Sequence, residues 1–578
     1  MAQSSSTADR RAKTHEPALR DRWHVWRAGF APPAQGFVSQ PEPRSIGMVA
    51  RGRQLVAGNY LLGGALVVAP GLALWDVSPP DAAFVDTAHG FAWLDDLAAA
   101  GDRPARDLAQ VWVFAWIERF GRGKGPGWTP DLTGRRLIRW INHALFLLSG
   151  RESPDSRAFF ASLSRQTVYL SRRWRSTAPG LPRFEALTGL IYSGLALTGM
   201  ETHADSAIGA LAQECAREVE ADGGIPTRNP EDLLEVFTLL NWAALALAES
   251  GRTPPVELTS AITRMAPTLR ALRHADGGLA RFHGGGRGLE GRLDHALAQS
   301  GVKPGLSDGL AMGFARLSAG RTSVILDAAP PPSGRASEAA HASTLAFELT
   351  SGRRQVIVNC GSGTPFGPDW RRAGRATVSH STLALEGFSS SRLGSGDELR
   401  DCAAVTLPRK TGGPGGHSVV AEQDGWVKSH GLVHRRALEL TSDGRGLIGQ
   451  DMLGAQTGAD RRRFDEVMSA LRLQGVPFAI RFHLHPEVDA EIDLGGAAVS
   501  LGLKSGEIWV FRHDGTLKLT IEPSVYLEKG RLKPRSTKQI VLSGRVLDYA
   551  AEVGWTLAKA QDTPLAIRDL ERDETPAP

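Results

Sequence analysis

Hydrophobic residues recur at three- and four-residue spacings from about Gly90 to Met265, and β-branched runs are scarce there, the pattern of amphipathic helices. The stretch 157–174 shows it well. Phe159, Phe160, Leu163, Leu170 and Trp174 share one face, leaving Arg165, Arg172 and Arg173 to point outward. In 185–197 the small residues Gly189, Ser193 and Gly194 let a second helix approach closely. Another helix opens at Asn229-Pro230-Glu231-Asp232, with Asn229 as N-cap, Pro230 in the first turn and two carboxylates at the positive end of the dipole. Upstream, the apolar run 60–75 is shorter than the ~20 residues a membrane-spanning helix needs. Gly63, Gly64, Pro70 and Gly71 break it, so it predicts a hairpin about the Gly-Gly pair.

From about Gly320 the period changes to alternation. Runs at 322–326, 344–349, 355–358, 381–385, 433–440, 478–484, 508–511 and 517–521 are separated by turn residues, which predicts antiparallel strands. The stretch 272–303 is the join. Its run Gly284-Gly285-Gly286-Arg287-Gly288 does not lead from a strand into a helix as a phosphate loop does, and predicts a flexible turn. The expected organisation is an α+β multidomain chain: a disordered start (1–25), a helical domain of paired helices (26–305), a β-domain (306–560) and a tail (561–578).

Composition narrows the class without naming a chemistry. The 578 residues, 42% hydrophobic and 22% charged, supply a full core and exclude disordered and collagen-like chains. Cys215, Cys360 and Cys402 are too scattered for a zinc knuckle or a disulfide framework. A net charge of 67 − 62 = +5 is a weak field over this length and gives no reason to expect nucleic acid. The polar N-terminus lacks the apolar core of a secretory signal and no transmembrane segment is found, so the expected compartment is the cytoplasm.

The most distinctive segment is 339–386. It places His341 ahead of LAFEL, then VIVN leading to Gly361, Trp370 with Arg371 and Arg375, and His380-Ser381-Thr382. This order resembles the C-terminal half of the heparinase II/III family of polysaccharide lyases. GLVHRRALEL (431–440) and IRFHLHP (480–486) also resemble that family's β-domain. The resemblance implies an N-terminal (α/α) toroid followed by an antiparallel β-sandwich. It further implies β-elimination of a uronic-acid-containing acidic polysaccharide in a groove between the two domains, with the periplasm or cell envelope as the alternative location.

Such an elimination needs a base for the C5 proton, an acid for the departing O4 and a group that neutralises the neighbouring carboxylate. Matching positions make His341 and His380 the catalytic candidates, with Tyr192 added from the helical half. Substrate binding falls to Asn142, His143, Trp370, Arg371 and Arg375; the two arginines, four residues apart, would aim at one anion from a helical turn. Some family members bind zinc in the β-domain, and the corresponding triad here is His341, Asn359 and His380, with Asn359 where Asp is usual. Ala339 stands where the family often has a first His, and Asp232 where it commonly has Tyr.

Each candidate has a structural alternative. His341 would cap a turn, Asn359 would form one before Gly361, Asp232 would serve the helix dipole, and Tyr192 would be core with its hydroxyl at the edge. His434, His483 and His485 are expected on a polar, solvated strand face. The departures from the family pattern support a second expectation, a non-catalytic glycan-binding or envelope-metabolism protein that keeps the scaffold. A histidine-dependent elimination would weaken as imidazole protonates near its ordinary pKa of ~6.5.

Overall fold

The structure, a computed structural model, describes residues 18–39, 42–305, 309–413 and 416–560; the expected tail and most of the expected disordered start lie outside them. The described residues form two units, 18–219 with 235–263, and 220–234 with 264–560. The second unit therefore claims 220–234 and 264–305, which the expected boundary at 305 gives to the helical domain. Periodicity registers a helix but not its partners. Arg228, Asp222 and the Gly-rich turn are tied by hydrogen bonds within the second unit.

In the helical unit, the long elements Arg103–Phe120, Pro130–Asn142, Ser153–Arg173, Leu181–Ala196 and Glu201–Glu218 bury a tryptophan-rich core of Trp93, Trp112, Trp116, Trp128 and Trp140. Arg136 lies fully buried among them, its guanidinium 4.1 Å from the Trp116 ring centroid and bonded to Gln166 Oε1 and the carbonyls of His89 and Gly127. Leu19–Ala28 is a helix where a disordered start is expected. Asp21 on it accepts from Tyr169 Oη and Arg173 Nε, and Val25 is fully buried. The predicted hairpin is present, pairing Asn59–Leu62 with Ala65–Val68 about Gly63-Gly64.

Glycine sets the closest helix approach. A Cβ on Gly189 would lie 2.4 Å from Gly134 Cα, and one on Gly134 would lie 2.3 Å from the Glu185 carbonyl oxygen. The small-residue pattern in 185–197 thus marks a true backbone contact between Pro130–Asn142 and Leu181–Ala196.

The second unit is an antiparallel sandwich. One sheet runs Val405–Gly413, Gly416–Trp426, Leu432–Thr441, Gly446–Gly454, Ala550–Lys559, Ile508–His513, Ala498–Gly502, Asp489–Asp493. The other runs Lys518–Tyr526, Arg535–Val546, Val476–Leu484, Arg354–Val358, Phe347–Ser351, Thr322–Asp327, Phe314–Ala319, with Leu383–Leu385 beside Val476–Leu484. Leu438, Leu447, Phe482, Leu542 and Trp555 contribute to one core from both sheets.

The expected solvated face for His434 and His483 is not what forms. Leu432, His434, Arg436, Leu438 and Leu440 share one parity and all point inward. Burial of these polar side chains is tolerated because Asp451 answers them: its carboxylate accepts from His434 at 2.7 Å, twice from Arg436 at 2.8 and 3.0 Å, and from Trp555 Nε1 at 2.9 Å. His483 is covered by 377–379 and bonds to Ser524 Oγ and the Val378 carbonyl, while half-buried His485 packs on Tyr526.

The glycine contact yields a paired test. Gly189→Ala is expected to cost about 1–3 kcal/mol by overpacking. Gly209→Ala, on Glu201–Glu218 with open space at its Cβ position, is expected to stabilise by about 0.5–1 kcal/mol. Thermal unfolding of the two variants checks both signs.

Candidate functional site

Thr322–Asp327 is buried along its whole length and ends in a carboxylate with no exposure. An isolated charge there would be expensive, so its partners decide local structure. Arg228 Nη2 donates to Asp327 Oδ1 at 2.6 Å and the Ser343 hydroxyl donates to Oδ2 at 2.7 Å. His283 Nε2 lies 3.5 Å from Oδ2. Arg228 spends its other donors on the carbonyls of Met312, Gly313, Ala329 and Pro330.

His283 in turn positions His341, whose backbone N–H donates to His283 Nδ1 at 3.2 Å. Arg375 closes the same turn from the other side. Its guanidinium donates to the carbonyls of Ser337 and Ala340, and its own carbonyl accepts from Ala342 N–H. The result is a direct contact between the two leading candidates, with His341 Nδ1 3.0 Å from His380 Nε2, both side chains buried.

Their proton positions follow from one acceptor. His380 Nδ1 lies 2.9 Å from the Ala376 carbonyl, which can only accept, so Nδ1 carries the proton of the neutral ring and Nε2 is a lone pair. His341 Nδ1 must then donate to it, which leaves His341 Nε2 as the unprotonated end of the chain. That nitrogen has no hydrogen-bond partner among the described residues. Burial pushes His380 down to about 4 and holds His341 and His283 well below the ordinary histidine value, so all three are neutral at pH 7.

Residues 301–556 match the model of the heparinase II/III-like C-terminal family. Over 545 residues, 92% of this chain and 91% of the relative, the sequence is 30% identical to FtsZ-localized protein C of Caulobacter vibrioides. The chain belongs to the heparinase II/III-like family. Among solved structures it is similar to heparinase III, with a TM-score of 0.66 over 95% of this chain and 93% of that one at 14% identity. The heparan sulfate lyase HepC from Pedobacter heparinus gives 0.57 over 94% and 88% at 13% identity. These likenesses are of fold: a helical toroid followed by an antiparallel sandwich.

The zinc that the heparinase II/III resemblance implies does not suit the donors present. Asn359 is fully buried; its Oδ1 accepts from Ser381 N–H at 2.9 Å and its Nδ2 faces Glu348 Oε1 at 3.5 Å. The remaining two donors are neutral imidazoles bonded to each other, and no carboxylate completes a set. Among the described residues no three His, Cys, Asp or Glu side chains gather at metal spacing.

The other candidates fall in three places. Tyr192, Asn142 and His143 belong to the helical unit. Tyr192 Oη accepts from Arg44 Nη1 at 3.1 Å, and burial raises its pKa. His143 Nε2 meets Asp95 Oδ1 at 2.9 Å and Ser45 Oγ at 3.2 Å, while buried Asn142 has an Nδ2 without a partner among the described residues. Arg371 and Arg375 share the helix Pro368–Arg375 but do not converge on an anion. Arg371 pairs with Asp397 and the Glu338 carbonyl, and Arg375 is committed to the turn before His341. Trp370 on that helix is 36% exposed, with room to contact a ligand.

Sequence reasoning missed His283, Asp327 and Arg228. Asp327 carries a usable signal, a carboxylate directly after the apolar run Val324-Ile325-Leu326. The Gly-rich turn after His283 is not loose, because Gly286 N–H donates to Glu231 Oε2, and a Cβ on Gly285 would lie 2.4 Å from Asn229 Oδ1. Asn229 itself caps its helix as expected, accepting from Glu231 and Asp232 N–H.

Two outcomes follow. Asp327→Asn leaves Arg228 buried without its counter-charge and is expected to lower unfolding free energy by about 3–5 kcal/mol in a denaturant titration. Because His380 has a folded pKa near 4, below the ordinary ~6.5, the unfolded chain takes up protons first as pH falls. Stability is full above ~6.5 and declines as pH drops towards 4. Melting temperatures across this window should fall less steeply in His380→Gln than in the parent.

Proposed function

We propose that this protein acts on a uronic-acid-containing acidic polysaccharide by β-elimination, with His341 and His380 as the chemical pair. The observation that carries this reading is the neutral His341–His380 contact, whose fixed tautomers leave an unprotonated nitrogen at one end. His341 Nε2 takes the C5 proton, the C5–H electrons form the C4=C5 double bond, and the C4–O4 bond breaks with its electrons leaving on O4. The same imidazole returns the proton to O4. While His341 is charged, its Nδ1 proton is shared towards His380 Nε2, and the substrate carboxylate nearby raises the basicity that burial suppresses. Trp370 supplies an exposed ring for a sugar face.

A second reading, a non-catalytic glycan-binding or envelope-metabolism protein on the same scaffold, draws support from specific departures. Ala339 and Asn359 occupy positions where the resemblance implies His and Asp, and Arg375 is consumed by carbonyls. The curated relative is named for localisation with FtsZ, and that name states no reaction.

Ultraviolet absorbance of unsaturated uronate, followed with heparan sulfate, alginate and extracted bacterial envelope glycans, separates the two. His341→Ala and His380→Ala are each expected to lose about 100-fold or more in rate. Because burial holds both rings below the ordinary histidine value, activity should persist below pH ~6.5 instead of failing there. If no polymer yields product while one still binds, the elimination is wrong and the scaffold reading stands.

A further inference from the structure

β-Elimination needs a group for the substrate carboxylate, and the arginines around the histidine pair are committed elsewhere. Arg228 serves Asp327, Arg281 lies beneath the Tyr526 ring and pairs with Glu348, Arg371 meets Asp397, and Arg375 holds the turn before His341. Lys529 is placed differently. Its ammonium donates to Glu231 Oε2 at 2.5 Å, its side chain is 39% exposed, and it has no second partner among the described residues. Two of its three N–H donors therefore stay open to a ligand.

Contacts on two sides fix where Lys529 sits. Two residues before it, Leu527 N–H donates to the Cys360 carbonyl at 2.7 Å, and Cys360 N–H donates to the carbonyl of Ser379, next to His380. On the other side, Glu231 Oε2 also accepts from Gly286 N–H at 2.8 Å, and Lys529 Cδ lies 3.1 Å from where a Gly286 Cβ would stand. Gly286 belongs to the turn that starts at His283, whose Nδ1 accepts from His341 N–H. Lys529 thus stands beside the segments that carry both histidines, across a turn, Gly284-Gly285-Gly286, that has no side chains to fill the space. Its charge reaches the pair: His341 is held low by burial first, then by His380, His283, Arg375 and Lys529.

We propose that Lys529 is the substrate-binding cation of this site: its ammonium takes the uronate carboxylate beside His341 and stabilises the charge that builds there as C5 loses its proton. The ammonium keeps its own protons and makes only hydrogen bonds. This role rests on the elimination reading and supplies the neutralising group that such chemistry needs. Lysine suits it because the three donors of an ammonium rotate, and so can follow a carboxylate that turns into conjugation with the forming double bond. An ammonium already paired with Glu231 carries little net charge, which fits one carboxylate and disfavours a densely sulfated chain.

Isothermal titration and turnover measurements on the full chain test it, with hexasaccharides from heparan sulfate and from alginate, and their carboxyl-reduced forms, as probes. Binding is read in a His341→Ala background, so that turnover does not contribute. Adding Lys529→Met is expected to weaken an acidic hexasaccharide at least about tenfold, or ~1.4 kcal/mol. The carboxyl-reduced form should bind equally with and without the ammonium, and Lys529→Arg should recover most of the loss. With His341 present, Lys529→Met should also lower kcat about tenfold or more, because the carboxylate gains charge in the transition state. Equal affinity for the acidic probe in Lys529→Met overturns the proposal, and a parent that still yields unsaturated product then keeps the elimination without Lys529. An equal loss for the carboxyl-reduced probe marks a merely structural role and overturns it too, as does no binding of either acidic probe. A Lys529-dependent affinity in a chain that yields no product supports the carboxylate site and ends the elimination reading instead.

Discussion

A carboxylate removed from water must be answered by charge and hydrogen bonds, and Asp327 makes that demand at the base of the candidate site. The answer comes from Arg228, far off in the chain, and from the Ser343 hydroxyl, with the neutral His283 ring alongside at 3.5 Å. Arg228 cannot serve Asp327 without also gathering the carbonyls of Met312, Gly313, Ala329 and Pro330, since a buried guanidinium needs all its donors satisfied. One ion pair therefore ties Arg228 to the backbone at 312–313 and 329–330, while the turn after His283, which accepts from the backbone of His341, is held by Gly286 N–H on Glu231. The segment 220–234 belongs with the sandwich for this reason.

The His341–His380 pair rests on hydrogen bonds alone, with an amide at position 359. An Asp at position 359 would bring an anion to two imidazoles, a combination that favours a divalent cation. The amide of Asn359 instead accepts from Ser381 N–H and faces Glu348 Oε1, and the two imidazoles bond each other. The histidines then form a directed chain of hydrogen bonds anchored on the Ala376 carbonyl. Burial keeps that chain uncharged at neutral pH.

Much of the architecture was legible in the sequence because it rests on local periodicity. The hairpin at Gly63-Gly64, the Asn229 cap, the small-residue face of 185–197 and the strands after Gly320 all write their structure into neighbouring residues. The histidine pair was accessible through family resemblance. What remained hidden depends on partners distant in sequence: Asp327 with Arg228, Asp451 with His434 and Arg436, and Arg375 with the turn at 337–340. His434 was misassigned even though its parity matches Leu438 and Leu440. A polar residue on an apolar parity marks a buried partner, here the Asp451 carboxylate, and not a solvated face.

The contact between Gly134 and Gly189 places an unusual restriction on how this helical unit can change over evolutionary time. In most packed pairs, enlarging one residue can be offset by shrinking its neighbour. Here neither partner has a side chain to give up, so no reciprocal exchange restores the fit. The two positions form a dead end for compensatory substitution: any larger residue must be absorbed by moving an entire helix, and the route back is reversion.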